Sequence, residues 1–366
     1  MRILAINVEI GLGHPNYLDY VLQALKQMNP RVEIVSRDVL NEEKGLKKLF
    51  WQVSKGIYSL GAKGGLITDL YNKFRSASKT PIVSVCSIIS KDYDKILVAH
   101  PILAKSFDCA WYIHGEIAAP KECVLENVKK IVVPTDYTAQ RLIVQGVKPE
   151  QILVSGLTIA PDLVAGAKEN YLKRIDRIKS YKPLTIGFFI SGAYPPAHIK
   201  KIIEGIISVS KENHRIIVFL GIDHNKANEF IRSLDKRKTQ ENQTESTILF
   251  VQGKTRADYQ KRINKLLPIL DVFVAPSHEH TIWSLGLGLP MFSLFPMIGS
   301  YSTENFQFAY EQGVTYPIQT LIDAQSLGRI IFQLRESGEL IKMSERGFDK
   351  FPIDGAIKTA QIVIDK

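Results

Sequence analysis

The sequence predicts an α/β protein of two Rossmann-like domains facing across a cleft. Three observations carry that prediction. Short apolar runs alternate with amphipathic helical segments, the pattern of a parallel sheet covered by helices. The alternation restarts after Pro183, so it describes two units rather than one. Small and polar residues collect just after several of the apolar runs, at the strand ends where open parallel sheets hold ligands. A length of 366 residues suffices for two such cores.

The first unit is expected over residues 1–160. Residues 2–8 form an apolar run that breaks at Gly11-Leu12-Gly13-His14, and the helix after it carries Leu18, Val21, Leu22 and Leu25 at helical spacing. Residues 32–35, 96–99, 109–113, 131–133 and 152–154 read as further strands. The second unit is expected over 183–345, beyond a basic, polar connection at 160–182. There, residues 184–190 form a strand, Ser191-Gly192-Ala193 a turn, and 199–209 a helix with one apolar face. Strands follow at 216–220 and 248–251, with a polar loop at 237–246 between them. Residues 271–313 are the most informative stretch. A strand at 272–275 runs into Ser277-His278-Glu279-His280, then a helix that stops at Gly288-Leu289-Pro290, where glycine caps and proline cannot continue. A strand at 291–294 and a second polar turn lead to a helix carrying Asn305. A last helix at 354–365 is expected to pack back on the first unit.

Composition narrows the function classes. Hydrophobic content of 45% with 23% charged residues is that of a soluble globular chain. Three cysteines, Cys86, Cys109 and Cys123, cannot pair completely and lack metal spacing, which fits a reduced cytoplasmic compartment. No run approaches the ~20 apolar residues of a membrane span, and the first run is too short for a signal peptide. The net charge of +10 fits a phosphorylated substrate, an anionic membrane surface or a lysine-rich solvated exterior. Nucleic acid is not expected as a partner, because the basic residues are scattered and no recognition module is present. Residues 42–79 interrupt the alternation. Leu46, Leu49, Phe50, Val53 and Ile57 share one helical face, with Lys44, Lys47, Lys48 and Lys55 mostly elsewhere. This segment reads as cover for the sheet, or alternatively as a peripheral contact with an anionic membrane.

Gly11-Leu12-Gly13-His14 lets main chain approach a ligand and presents an imidazole at the start of a helix. It is not the dinucleotide fingerprint, since Asn16 stands where the third glycine belongs. His14 is a candidate general base, or a residue that hydrogen-bonds its own loop. Asp92-Tyr93-Asp94 reads as a solvated turn, and His278-Glu279-His280 lacks the further ligands of a metal site, so no metal is expected.

His14 after the first strand, Val133-Pro134-Thr135, Gly146-Val147 and Ile152-Leu153-Val154-Ser155-Gly156 resemble the acceptor half of the GT-B glycosyltransferases. In look they are similar to the galactolipid and glucolipid synthases of diacylglycerol and the lipid-linked peptidoglycan GlcNAc transferase. Ala99-His100-Pro101 and His114-Gly115-Glu116 resemble that group's mid-cleft segments. The resemblance implies transfer of a hexose from a nucleotide donor, UDP-linked, to a lipid-associated or other hydroxyl acceptor, with no cofactor. It implies His14 or Glu116 as base, and Gly13, Ser191 and Gly192 close to the diphosphate. The main chain of Val251 and Gln252 would read the base, while Ser277, His278, Glu279, His280 and Thr281 would line phosphate and ribose. Thr303, Glu304 and Asn305 would meet the sugar. One position departs: Trp283 falls where the group carries the glutamate that grips the ribose hydroxyls. A UDP-GlcNAc 2-epimerase type of enzyme shares the two-domain cleft and needs carboxylates, for which Glu116, Glu279 and Glu304 are candidates. A non-catalytic nucleotide- or sugar-binding relative is the third reading.

Overall fold

The computed structural model describes residues 1–8, 13–61, 92–212, 214–241 and 248–365. Gly11 and Leu12, residues 62–79 of the basic segment, Cys86 and residues 242–246 of the polar loop lie outside the described residues. Two six-stranded parallel sheets form the frame. The first contains β1 (Arg2–Asn7), β2 (Glu33–Asp38), β3 (Lys95–Val98), β4 (Ala110–Ile113), β5 (Lys130–Val133) and β6 (Ile152–Val154), in the order β2-β1-β3-β4-β5-β6. The second contains β7 (Thr185–Phe189), β8 (Arg215–Gly221), β9 (Ile248–Gln252), β10 (Val272–Ala275), β11 (Met291–Leu294) and β12 (Thr315–Ile318), in the order β12-β11-β10-β7-β8-β9. The fold class is α/β with two Rossmann-like sheets. Inner strands such as β7, β10 and β11 are buried along their whole length, because helices cover both faces, and their sequences are accordingly almost wholly apolar.

Strand order reverses between β1 and β3 in one sheet and between β7 and β10 in the other. Such reversal points leave a crevice beyond the carboxyl ends of the strands. The chain fills both crevices with short turns, and the two open toward each other. At Gly13, for example, an added Cβ would lie 3.1 Å from the Glu279 carboxylate of the opposite unit.

Four local readings change. The helix Gly45–Gly61 does not cover the sheet with its leucine face: Leu46, Leu49, Val53 and Ile57 are exposed. It is anchored from the other side by Trp51, which is fully buried edge-on to His100. Residues 237–240 are not loop but the end of the helix His224–Gln240, where Arg237 pairs with Glu204 at 2.7 Å. The polar connection contains the helix Ala167–Lys179. Its Arg174 is buried and donates to the carbonyls of Leu270, Leu287 and Gly288, which would otherwise be unsatisfied strand and helix ends. Finally β12 was not anticipated. Pro317 interrupts its pattern, and it is tolerated because β12 is an edge strand.

The helix Gly355–Asp365 buries Ala356, Ala360 and Val363 in one core with Leu18, Val21 and Leu25 of the helix Gly13–Met28. The segments that cross between the sheets run side by side. Leu157 donates to Pro352 O at 2.7 Å, Gly355 donates to Leu157 O at 3.1 Å, and Thr158 bridges Asp354. Gly286 packs against this junction, where a Cβ would approach Ile353 and Leu157 within 2.7 and 2.8 Å. Among the described residues no helix is long and apolar enough to cross a membrane.

Candidate functional site

The two reversal points enclose one cleft with about 1200 Å³ of empty space, including its open mouth. From the first sheet come Gly13, His14, Asn16, Tyr17 and Tyr20 on one face of the opening helix, His100 after β3 and Glu116 after β4. From the second come Ser191 and Gly192 after β7, then His278, Glu279 and His280 after β10, with Trp283 on the helix Thr281–Leu287. Among the described residues no lysine or arginine lines it.

Two carboxylates dominate its electrostatics. Glu116 is buried, and desolvation, with the Glu279 charge adding to it, pushes its carboxyl up to about 8. Asn305 opposes that shift by donating to Glu116 Oε2 at 2.7 Å. Glu279 is also pushed up by burial, and the neighbouring His278 pulls the other way. Near neutrality Glu116 therefore holds its proton and can act as an acid.

The second sheet supplies an aromatic floor. Phe189 stacks on Phe219 with centroids 4.1 Å apart, and His280 and Trp283 meet Phe189 at 5.0 and 5.3 Å. Burial depresses His280 to about 3, so it is a neutral ring. On the other wall His14 meets His100 and Tyr301 edge-on at 5.6 and 5.4 Å.

The structure thus brings His14, Glu116, Gly13, Ser191, Gly192, His278, Glu279 and His280 to one cleft. Others lie elsewhere. Val251 is in the core, and Gln252, beside it, keeps a buried Nε2 without a partner. Ser277 is buried against Ser293 at 2.9 Å, Thr281 is buried, and Thr303 is exposed. Glu304 and Asn305 do not line the cleft but close it from behind. Glu304 accepts from Ala119 N, Tyr137 and Arg141, the last at 2.6 Å. Asn305 accepts from Ala118 N at 2.8 Å while donating to Glu116 and to Ser277 O. On the other side Arg256 reaches Asp19 at 2.5 Å and Asn16 at 3.0 Å, and Asn16 donates to Gln260 at 2.8 Å. Tyr17 and Tyr20 were missed by sequence reasoning. Their signal was present, since positions 13, 16, 17 and 20 share one helical face. Tyr301, which seats in the core of the first unit, had no such signal.

Among the described residues no group of three or more His, Cys, Asp or Glu is arranged to hold a metal ion. No protein-family model matches the chain, and a search of curated proteins finds no relative. Solved structures do match over the whole length. UDP-GlcNAc 2-epimerase from Neisseria meningitidis, bound to UDP-GlcNAc, aligns over 100% of both chains with 12% identity and a TM-score of 0.62. The S. aureus protein MnaA, in a structure with UDP, aligns over 99% of this chain and 95% of its own, with 13% identity and a TM-score of 0.61. UDP-GlcNAc 2-epimerase from Methanocaldococcus jannaschii, in complex with UDP-GlcNAc and UDP, aligns over 100% of both chains with 11% identity and a TM-score of 0.56. At these identities the likeness establishes the fold, the GT-B-like arrangement of those epimerases. The lipid glycosyltransferases that the sequence motifs resemble are not what these comparisons bring out.

Proposed function

We propose that this protein is an enzyme that binds a UDP-linked sugar in the cleft and inverts a carbon of that sugar, a UDP-GlcNAc 2-epimerase type of reaction. The carboxylate pair carries this reading. Inversion at a carbon bearing hydrogen takes one group to remove a proton from one face and another to return one to the opposite face. Glu116 and Glu279 line one cleft from opposite sheets, and burial raises both carboxyls, Glu116 to about 8. Glu304, the third carboxylate considered, is engaged by Ala119, Tyr137 and Arg141 behind the wall. The solved relatives that hold UDP-GlcNAc support the donor class. Glu116 acts as the acid and Glu279 as the base, with His14 at the mouth. Ser191 and Gly192 bring main chain to the diphosphate, and Trp283 offers the nucleoside an aromatic surface.

The test is proton NMR of UDP-GlcNAc with the protein in deuterated water. The expected result is a second, epimeric set of sugar signals with deuterium at the inverted carbon. Unchanged UDP-GlcNAc at stoichiometric protein would sink the reading. A second reading, hexose transfer to a lipid-associated acceptor, is favoured by the exposed stripe Leu46, Leu49, Val53 and Ile57 beside the exposed Lys44 and Lys48, which suits an anionic bilayer surface. It requires UDP release that depends on added lipid, and flotation with anionic liposomes.

A further inference from the structure

Tyr17 lies in the first turns of the helix Gly13–Met28, lines the cleft and is 1% exposed. Its ring packs directly over the main chain of residue 115. A Cβ there would come within 2.2 Å of the ring carbons, so glycine at 115 is what lets the ring take this place. The phenol is thereby fixed beside the residue that precedes Glu116. Its hydroxyl is buried and makes no hydrogen bond of good geometry, and the polar side chain it approaches is the Glu116 carboxyl. Other buried tyrosines nearby are satisfied: Tyr112 bonds His114 at 3.0 Å, and Tyr301 meets Cys123 Sγ at 3.3 Å. A buried hydroxyl whose bonding capacity the protein does not fill calls for an explanation, and in an open cleft a ligand supplies one.

We propose that the Tyr17 hydroxyl is a substrate-contacting group that hydrogen-bonds the sugar, not the nucleotide, of the bound UDP-sugar. The proposal rests on the UDP-sugar reading above. The sugar is the part addressed because the Tyr17 hydroxyl approaches Glu116, the acid proposed to act on the sugar. Burial, with the Glu116 and Glu279 charges and hydrogen bonding to Glu116 adding to it, raises the phenol well above its ordinary range. It therefore stays neutral at any working pH, able both to donate to and to accept from a sugar hydroxyl.

Tyr17→Phe removes the hydroxyl and keeps the ring on Gly115. Calorimetry with UDP-GlcNAc and with UDP, and thermal unfolding without ligand, decide the matter. The expected result is roughly tenfold weaker UDP-GlcNAc binding, unchanged UDP binding, and a free-protein Tm within about 1 °C of the parent. Equal loss for both ligands, or no loss for either, overturns the assignment to the sugar. A Tm lowered by several degrees without ligand overturns it too, because the hydroxyl would then be holding the fold. If the parent binds neither UDP nor UDP-GlcNAc, the UDP-sugar reading itself fails and this proposal falls with it. Parental binding that Tyr17→Phe leaves intact removes only the proposal.

Discussion

The side chain with the most consequences is Glu116. Folded, its carboxyl holds a proton up to about pH 8; unfolded, it returns to its ordinary value of 4.5. Between those values the folded state binds more protons than the unfolded, so this group's contribution to stability is complete below pH 4.5 and is lost as pH rises through about 8. Glu116→Gln, a neutral isostere, should therefore be more stable than the parent at pH 8–9, by on the order of 1–3 kcal/mol, and inactive. Equal urea midpoints at pH 9 would contradict the buried, protonated assignment. Asn305 sets the same carboxylate from the opposite sheet. Asn305→Ala strips donors from Glu116 and Ser277 O and leaves the Ala118 N–H buried without its acceptor. The expected cost is roughly 2–3 kcal/mol by urea denaturation. Both residues were legible in sequence as candidates. What was not legible is that Asn305 serves Glu116 and not a sugar, because residues 189 apart come together only through the fold.

Among the elements, helix ends decide the geometry of the cleft. The helix Ser302–Glu311 brings its first turn onto residues 116–119, and the helix Arg256–Leu266 meets the helix Gly13–Met28 through Arg256, Gln260, Asn16 and Asp19. The Asp19 carboxylate is 43% exposed, so its pair with Arg256 contributes little to global stability. The pair joins helices of the two units beside the cleft, so it is the contact expected to bear on closure. Arg256→Ala should leave the Tm nearly unchanged, weaken UDP-sugar binding by roughly threefold to tenfold and enlarge the radius of gyration in X-ray scattering. An unchanged scattering profile and affinity would show that closure does not depend on this contact. Strands such as β10 and β11 were readable because burial on both faces writes an almost wholly apolar run. The helix Gly45–Gly61 was misread because a helical apolar stripe does not say which way it faces, and Trp51 on the other side, with Phe50 beside it, outweighed four stripe residues.

At the scale of the whole molecule, pH should define a narrow stability maximum. His114, His198, His214, His278 and His280 are all depressed, chiefly by burial, three of them to about 4 and His280 to about 3. A depressed histidine stays neutral in the fold and takes a proton only on unfolding, so each removes stability as pH falls below its ordinary 6.5. Glu116 and Glu279 act in the opposite sense, but five groups outweigh two below pH 6.5, and the carboxylates prevail above it. Thermal unfolding from pH 4 to 9 should show its highest Tm near pH 6–7, and a Tm that keeps rising to pH 9 would contradict the buried carboxylate pair. The two-sheet plan was visible in sequence because each sheet repeats the same alternation. How the halves meet was not, since Tyr301 and Glu304 look like ordinary turn and helix residues until the opposite unit is beside them. The paired crossing segments at Leu157–Thr158 and Pro352–Gly355 have a mechanical consequence. One tether would let the halves swivel freely, and two distant ones would lock them. Two adjacent tethers bonded to each other should act as a flexure that favours one bending axis, with Gly286 packed against it.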